Sequence, residues 1–170
     1  MSTFLAIDFE TANYERDSAC AIGIALGRDD RILHEESFLI RPPSDWFTFT
    51  HIHHLTWEHV CDARSFGELW PLLRAYIEEV DFLAAHNAPF DRGVLRACCE
   101  SYGLDVPRTP FVCTVRLARA QWGIRPTRLP DVCRELDIPL NHHDAASDSS
   151  ACARIVLAAK AQGWRYGGAD

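Results

Sequence analysis

The run FLAIDFET, residues 4–11, constrains the fold most strongly, because an apolar strand ends there in two acids. Its almost continuous apolar character predicts a strand that is buried on both faces, at the centre of a sheet. Asp8 and Glu10 are two residues apart, so both side chains leave such a strand on the same face. Neighbouring carboxylates repel each other, which raises a pKa or requires a compensating cation. The run therefore predicts a cation site at the end of a central strand.

The order of the hydrophobic patterns predicts an α/β fold built on one mixed sheet. Three N-terminal strands are predicted with short polar segments between them, which favours an antiparallel meander; they cover 3–9, 19–26 and 32–40. An irregular stretch follows, and helices then alternate with strands: a helix over 65–80, a strand at FLAAHN, a helix over 89–102, a strand at PFVCTV, and helices over 116–122, 129–136 and 145–162. This alternation predicts parallel strands beside the meander, with helices on the faces of the sheet.

The length and the cysteines indicate a small intracellular protein. With 170 residues the chain is predicted to form one domain over 1–170, with a flexible tail over about 163–170. Its seven cysteines are scattered through apolar patterns without a C-x-x-C pair, so we interpret them as reduced core residues. No basic segment followed by an apolar one opens the chain, and no apolar run approaches a membrane span. We therefore expect a cytoplasmic location and no membrane partner.

The net charge of −7 at first argues against a nucleic-acid partner, since phosphate binding normally depends on Lys and Arg. Bound metals would weaken this objection. Two divalent ions held by acids would add four positive charges and leave −3, with a locally positive centre that can accept a phosphate. The acidic composition thus allows a nucleic-acid substrate if the cation site exists.

Two further acids stand at the starts of predicted helices. Asp91 falls in the first turn after FLAAHN, and Asp148 in the first turn of the last helix, for which Asp144 is the expected N-cap. An acid at a helix start complements the macrodipole in any protein, so each has a structural explanation when taken alone. Helix starts and strand ends meet at one edge of an α/β sheet, so both acids can reach the edge that holds Asp8 and Glu10.

Three segments, in order, resemble the motifs of the DnaQ-like 3′-to-5′ exonucleases of the DEDDh group, within the RNase H-like superfamily. IDFET resembles the first motif, AHNAPFD the second, and HDAASD, with its H-x-A-x-x-D spacing, the third. IHHLT and RLPDVCRELDIPL are similar to intermediate segments of the family, and the closest likeness is to small bacterial single-domain members beginning DFETAN. The resemblance spans nearly the whole chain and implies an RNase H-like mixed sheet.

The resemblance implies a role for each motif residue. Asp8, Glu10, Asp91 and Asp148 correspond to the ligands of two divalent metal ions, Mg²⁺ or Mn²⁺, which prefer carboxylate oxygens. His143 corresponds to the general base, because it stands five residues before Asp148. His142 is the nearest alternative.

Substrate contacts are implied at Thr11, His53, Asn87 and Phe90. Each also has a structural interpretation, since Phe90 fits a core position, Asn87 a helix cap and His53 a loop. His54 departs from the family pattern, which has glycine there; glycine reaches φ > 0 more easily than histidine does. A zinc site among the histidines of 51–59 is the less favoured alternative, because no H-E-x-x-H pattern is present.

The expected function is that of a metal-dependent 3′-to-5′ exonuclease that releases nucleoside 5′-monophosphates from single-stranded nucleic acid, with DNA favoured. An RNA-trimming or oligoribonuclease-type enzyme is the first alternative, because the motifs do not show how the site meets a 2′-hydroxyl. A non-catalytic module that binds nucleic-acid ends or a polymerase is the second. With few positive charges the domain alone is not expected to be processive, so a polymerase or another replication or repair protein is an expected partner.

Overall fold

The computed structural model describes residues 2–167 and confirms the mixed sheet. Its five strands are β1 (Thr3–Thr11), β2 (Ala19–Arg28), β3 (Arg31–Leu39), β4 (Phe82–Ala85) and β5 (Phe111–Cys113). They lie in the order β3-β2-β1-β4-β5, antiparallel among the first three and parallel from β1 through β4 to β5. The central position of β1 agrees with its apolar sequence.

Seven helices accompany the sheet: α1 (Thr50–His53), α2 (Trp57–Val60), α3 (Phe66–Glu78), α4 (Ala88–Ser101), α5 (Thr114–Trp122), α6 (Leu129–Glu135) and α7 (Ala145–Ala161) within the described residues. α3 begins after a capping box, in which Ser65 and Glu68 bond each other's backbone N–H groups. Asp144 caps α7 as expected, since its side chain accepts the Ser147 N–H.

Two expectations about local structure are wrong. The stretch after β3 is not wholly irregular, because α1 and α2 each form a single helical turn there. The strand at PFVCTV is shorter than predicted: β5 has three residues, which pair with Leu83–Ala85, and α5 begins at Thr114. β4 ends at Ala85, so a longer β5 would have no ladder partner, and unpaired backbone groups favour a change to helix.

β1 divides the core into two sides. Leu5, Ile7 and Phe9 pack on one side in a cluster with residues of α3 and α4, and Phe4 and Ala6 pack on the other with residues of α7. Because side chains alternate along a strand, Asp8 and Glu10 project to the α7 side. The hydrophobic core thus orients both acids.

Gly23 allows α7 to approach the sheet closely. It pairs with Asp8 across β1 and β2, and a Cβ atom at this position would overlap the backbone of Ala145, the first residue of α7. The missing side chain therefore brings the first turn of α7, which carries Asp148, over the acid end of β1.

The chain after α7 returns to the sheet. Trp164 and Tyr166 lie against the Phe82 ring, with centroid distances of 6.0 and 4.4 Å. The rest of the predicted tail, 168–170, lies outside the described residues. None of the helices in 2–167 has both the length and the apolar character that crossing a bilayer requires.

We predict that Gly23→Ala pushes the start of α7 away from β1. The overlap with the Ala145 backbone should lower the free energy of unfolding by about 1–3 kcal/mol, the usual cost of overpacking. Urea unfolding measures this change, with Gly167→Ala as the control because a Cβ there meets open space. Equal stability of the two variants would mean that α7 does not depend on this approach.

Candidate active site

Four carboxylates converge at the end of β1. Asp8, Glu10 and Asp148 each place one oxygen within 4.8 Å of the other two. Asp91 is 1% exposed, and its Oδ1 accepts the Phe9 N–H at 3.0 Å, so its carboxylate is bonded to the backbone between Asp8 and Glu10. The structure therefore brings all four predicted metal ligands to one place.

Two helix starts deliver the distant acids. Asn87 precedes α4 with a left-handed backbone, φ 69°, which turns the chain out of β4 so that Asp91 falls in the first helical turn. Asp148 lies in the first turn of α7, whose first residue, Ala145, lies against Gly23 of β2. The parallel pairing of β1 with β4 places the start of α4 beside the end of β1.

Burial, and for Asp8 and Glu10 also the neighbouring acids, disfavour the charged form of these carboxylates. Burial, and then the charges of Asp91 and Asp148, raise the pKa of Asp8 well above its usual range. Burial is also the largest cause for the other acids: it raises the pKa of Glu10 to about 8 and that of Asp91 to about 7. The pKa of Asp148 is raised by burial as well, although the Asp148 carboxylate accepts the His143 N–H, which lowers it. Cations would relieve this repulsion.

The donor set fits a hard divalent cation. Asp148 Oδ1 is buried and has no hydrogen-bond partner among residues 2–167, although buried carboxylate oxygens are normally satisfied. It stands in the same cluster as Asp8 and Glu10, and all the donors are oxygens. Oxygen donors of this kind suit Mg²⁺ and Mn²⁺.

Two adjacent histidines flank Asp148 in different ways. His142 Nδ1 lies 2.8 Å from Asp148 Oδ2, whereas His143 donates its backbone N–H to the same oxygen at 3.1 Å. The two rings stack at 3.8 Å, and His143 has a left-handed backbone with φ 70°. Burial, and then the neighbouring His142, lower the pKa of His143, which favours its neutral form. The predicted base is thus near Asp148, but the ring that contacts the carboxylate belongs to His142.

The predicted substrate residues surround the site, and they differ in exposure and in whether their polar atoms are already hydrogen-bonded within the fold. His53 is buried, and both of its ring nitrogens are used inside the fold: Nδ1 accepts the Leu55 N–H at 3.1 Å and Nε2 lies 3.1 Å from the Thr11 carbonyl. Thr11 is 7% exposed. Asn87 and Phe90 are exposed at the start of α4, and the Arg16 guanidinium lies 5.6 Å from the centre of the Phe90 ring.

His54 adopts the conformation that glycine would favour. Its φ is 62°, and its N–H bonds the Thr50 carbonyl to close the single turn of α1. The departure from the family pattern therefore preserves the local backbone, and the His54 side chain lines a recess that also contains Glu10 and His143. Outside that recess, His59 Nδ1 accepts the Thr56 N–H at 3.0 Å.

Sequence reasoning missed three residues of a second cleft, of about 550 Å³, that opens onto the carboxylates. Its far wall contains His86, Arg119 and Thr127. His86 bonds Thr114 Oγ1 at 2.9 Å and the Thr127 carbonyl at 3.0 Å, and burial lowers its pKa to about 4, so its ring is neutral. Arg119 Nε donates to Thr127 Oγ1. The AHNAPFD motif contained His86, but its partners lie 28 and 41 residues further along the chain.

A buried cluster of carboxylates at the strand ends of a mixed α/β sheet is suited to metal-assisted hydrolysis of phosphate esters. Comparison with known proteins agrees with this class. A family model described as Exonuclease matches residues 5–156. The DNA polymerase III PolC-type of Thermotoga petrophila is 31% identical over 161 residues, covering 92% of this chain and 12% of that protein. The chain thus spans a small part of this relative.

Solved structures share the whole fold. Exonuclease X in complex with 5′ overhanging duplex DNA superimposes with a TM-score of 0.77 and 23% identity, over 95% of this chain and 94% of that one. The nuclease domain of 3′hExo, a DEDDh family member bound to rAMP, superimposes with a TM-score of 0.81 and 15% identity. The superposition covers 95% of this chain and 93% of that one. The chain belongs to the exonuclease family, in its DnaQ-like group of 3′-to-5′ exonucleases with the RNase H-like fold, which confirms the resemblance of its three motifs. Enzymes of this family use divalent metals.

We predict that the metal-free protein loses stability as the pH rises. A carboxyl group with a raised pKa in the folded state binds its proton more tightly there, so its protonation stabilises the fold at low pH and this stabilisation is lost as the pH rises. The stabilisation is lost over the pH range between the ordinary and the raised pKa values. This range is 4.5 to about 8 for Glu10 and 3.8 to about 7 for Asp91. Urea unfolding in EDTA should therefore give a lower free energy of unfolding at about pH 8 than at about pH 5.

Saturating Mn²⁺ should offset this loss at about pH 8, because an ion present at 100 times its Kd stabilises the state that binds it by about 2.7 kcal/mol. Asp8→Asn should flatten the pH dependence and remove the Mn²⁺ effect. Asp30→Asn, at the exposed turn between β2 and β3, should change neither. Metal-free stability that increases between about pH 5 and about pH 8 would contradict the assignment of the cluster.

Proposed function

We propose that this protein hydrolyses phosphodiester bonds from the 3′ end of single-stranded nucleic acid, DNA in preference to RNA, and releases nucleoside 5′-monophosphates. The observation that carries the proposal is the convergence of four carboxylates, three of them with oxygens within 4.8 Å, around the unpartnered Asp148 Oδ1. The preference for DNA rests on the PolC-type relatives, which are described as DNA polymerases.

Asp8, Glu10, Asp91 and Asp148 would hold two divalent ions, Mg²⁺ or Mn²⁺. When bound, such ions acidify a water molecule and stabilise the leaving 3′-oxygen. The protein contributes position, because the Phe9 N–H holds Asp91 and the His143 N–H holds Asp148. Both carboxylates are thereby held in fixed orientations.

His143 would accept the proton of the attacking water. Its lowered pKa keeps the ring neutral near pH 7, and a neutral imidazole is the form that takes up a proton. His142 packs against it and bonds Asp148, so His142 would orient both the base and a metal ligand. This assigns different roles to the two histidines.

The terminal nucleotide would lie among Thr11, Asn87, Phe90 and His53. Because the His53 nitrogens are engaged inside the fold, its contribution would be to hold the Thr11 backbone in place. A base must leave its stack to enter such a site, and this costs less at a single-stranded end. A cytoplasmic location belongs to the same proposal. So does a polymerase or other replication or repair partner, because the matched part of the PolC-type relative is only 12% of a protein that is described as a DNA polymerase.

We predict that His143→Ala lowers kcat by about 10²–10⁴, the usual contribution of general acid–base catalysis. His142→Ala should lower kcat less and weaken Mn²⁺ binding about tenfold, as loss of a residue that orients a ligand does. Single-turnover kinetics and calorimetric Mn²⁺ titration separate the two effects. A larger kcat loss for His142→Ala would reverse the roles of the two histidines.

We further predict rapid hydrolysis of single-stranded DNA and slow hydrolysis of blunt duplex DNA. A time course on single-stranded DNA, blunt duplex DNA and single-stranded RNA of one sequence, with Mg²⁺, with Mn²⁺ and with EDTA, tests this, and equal rates on single strand and duplex would contradict it. Activity in EDTA would exclude the metal-dependent mechanism. Faster hydrolysis of the RNA would make the enzyme an exoribonuclease, and binding without hydrolysis would make it an end-binding module.

A further inference from the structure

The positive charges of this acidic chain are concentrated in one segment. Residues 88–135 contain eight of the 17 Lys and Arg residues but only five of the 24 Asp and Glu residues, one of which is the buried Asp91. The segment therefore carries +3 in a chain of −7. It covers α4, the following loop, β5, α5 and α6, which border the carboxylate site on one side.

Within this segment an open groove of about 520 Å³ runs between α4 and the loop that leads to β5. Arg92, Arg96 and Arg108 line it, and all three are exposed. Arg92 and Arg96 are four residues apart, so they lie on one face of α4. We call this feature the arginine groove.

Two of these arginines have no partner of opposite charge. Arg96 pairs with Glu100 at 2.7 Å on the helix surface, whereas no carboxylate in 2–167 lies within 4.0 Å of the guanidinium nitrogens of Arg92 or Arg108. Guanidinium groups match phosphate geometry and can donate two hydrogen bonds to one phosphate. The arginine groove thus offers free phosphate donors.

The other wall of the arginine groove is apolar. Pro89, Val106 and Phe111 line it, and Val106 is 40% exposed. Proteins that bind single strands combine positive groups, which contact the phosphates, with apolar surfaces, on which the bases lie. A duplex does not expose its bases in this way. The composition of the groove therefore favours an unpaired chain.

The arginine groove and the cleft that contains His86 and Arg119 approach each other at the start of α4. Asn87 lines that cleft and Pro89 lines the groove, and both stand at the start of α4. Arg92 directly follows Asp91. The exposed face of β3 and its turn, in contrast, carry acids such as Asp30, Glu35 and Glu36. A polyanion that leaves the site would be drawn toward α4 and repelled from β3.

We propose that the arginine groove binds the single-stranded nucleotides immediately 5′ to the terminal nucleotide, which rests on the proposed exonuclease function. Arg92 and Arg108 contact phosphates of these nucleotides, and the Pro89–Phe111 side accepts their bases. The groove thereby makes hydrolysis depend on substrate length beyond the single nucleotide that the carboxylate site holds.

The test compares thymidine 5′-(p-nitrophenyl phosphate), which has one nucleotide, with oligothymidylates of two to twelve nucleotides in Mn²⁺. For the natural sequence, kcat/KM should increase with length and then level off as the arginine groove fills. In the double variant Arg92→Glu, Arg108→Glu the ratio of kcat/KM for the 12-mer to that for the ester should fall about tenfold. The slope of log KM against log salt should fall by about 0.7 for each phosphate that the double variant no longer binds.

Arg31→Glu is the matched control. Arg31 is exposed at the start of β3, and β2 and β3 place it at the opposite end of the sheet from Glu10. The single variants Arg92→Glu and Arg108→Glu undergo the same charge reversal as Arg31→Glu, and Arg31→Glu should change the ratio less than twofold. Surface substitutions change stability little, so all variants should unfold at similar urea concentrations.

The outcomes separate the two proposals. If the ratio of kcat/KM values and the salt slope are the same in the double variant and in Arg31→Glu, the proposal for the arginine groove is wrong. Hydrolysis of the ester would in that case still support the exonuclease function. If neither substrate is hydrolysed, the exonuclease proposal fails. Anisotropy of a fluorescein-labelled 12-mer in Ca²⁺ still tests the groove in that case: a Kd about tenfold higher in the double variant supports it, and an unchanged Kd overturns it.

Discussion

The crowding of four carboxylates at the end of β1, two of them buried and two half-buried, is the constraint on which this molecule depends. Burial raises the pKa of Asp8, Glu10, Asp91 and Asp148, and the charges of neighbouring acids raise those of Asp8 and Glu10 further. Such a cluster persists only where the surrounding fold holds it, and here an apolar core on both sides of β1 does so. A divalent cation would stabilise the charged form of all four carboxylates, so the cluster is suited to bind such ions.

Backbone groups determine how the acids meet. The Phe9 N–H holds Asp91, the His143 N–H holds Asp148, and Gly23 leaves the space in which α7 begins. The first contact joins β1 to α4, the second fixes Asp148 at the start of α7, and Gly23 lets α7 lie against β2; α4 and α7 are the two helices that bring the distant acids. The functional geometry therefore depends on the packing of whole elements as well as on the four side chains.

The distribution of charge, and not the net charge, determines where this chain can attract a polyanion. The negative charge lies outside 88–135, and within that segment Arg92 and Arg108, which have no acidic partner in 2–167, line the arginine groove. A nucleic-acid chain can therefore be attracted on one side of the site although the protein as a whole is acidic. In the proposed function the acids inside the site and the arginines beside it have separate roles, since the first would hold cations and the second would contact phosphates.

The sequence by itself determined the mixed sheet, the four acids and the helix starts, because each follows from a local pattern: alternation, capping or the spacing of a motif. Tertiary structure alone decided that β5 stops after three residues, since its length is set by β4 as its partner. It also decided that the His142 ring, and not that of His143, contacts Asp148, and that His86 bonds Thr114 and Thr127. These features depend on distances between elements far apart along the chain, and such distances arise only when the core packs.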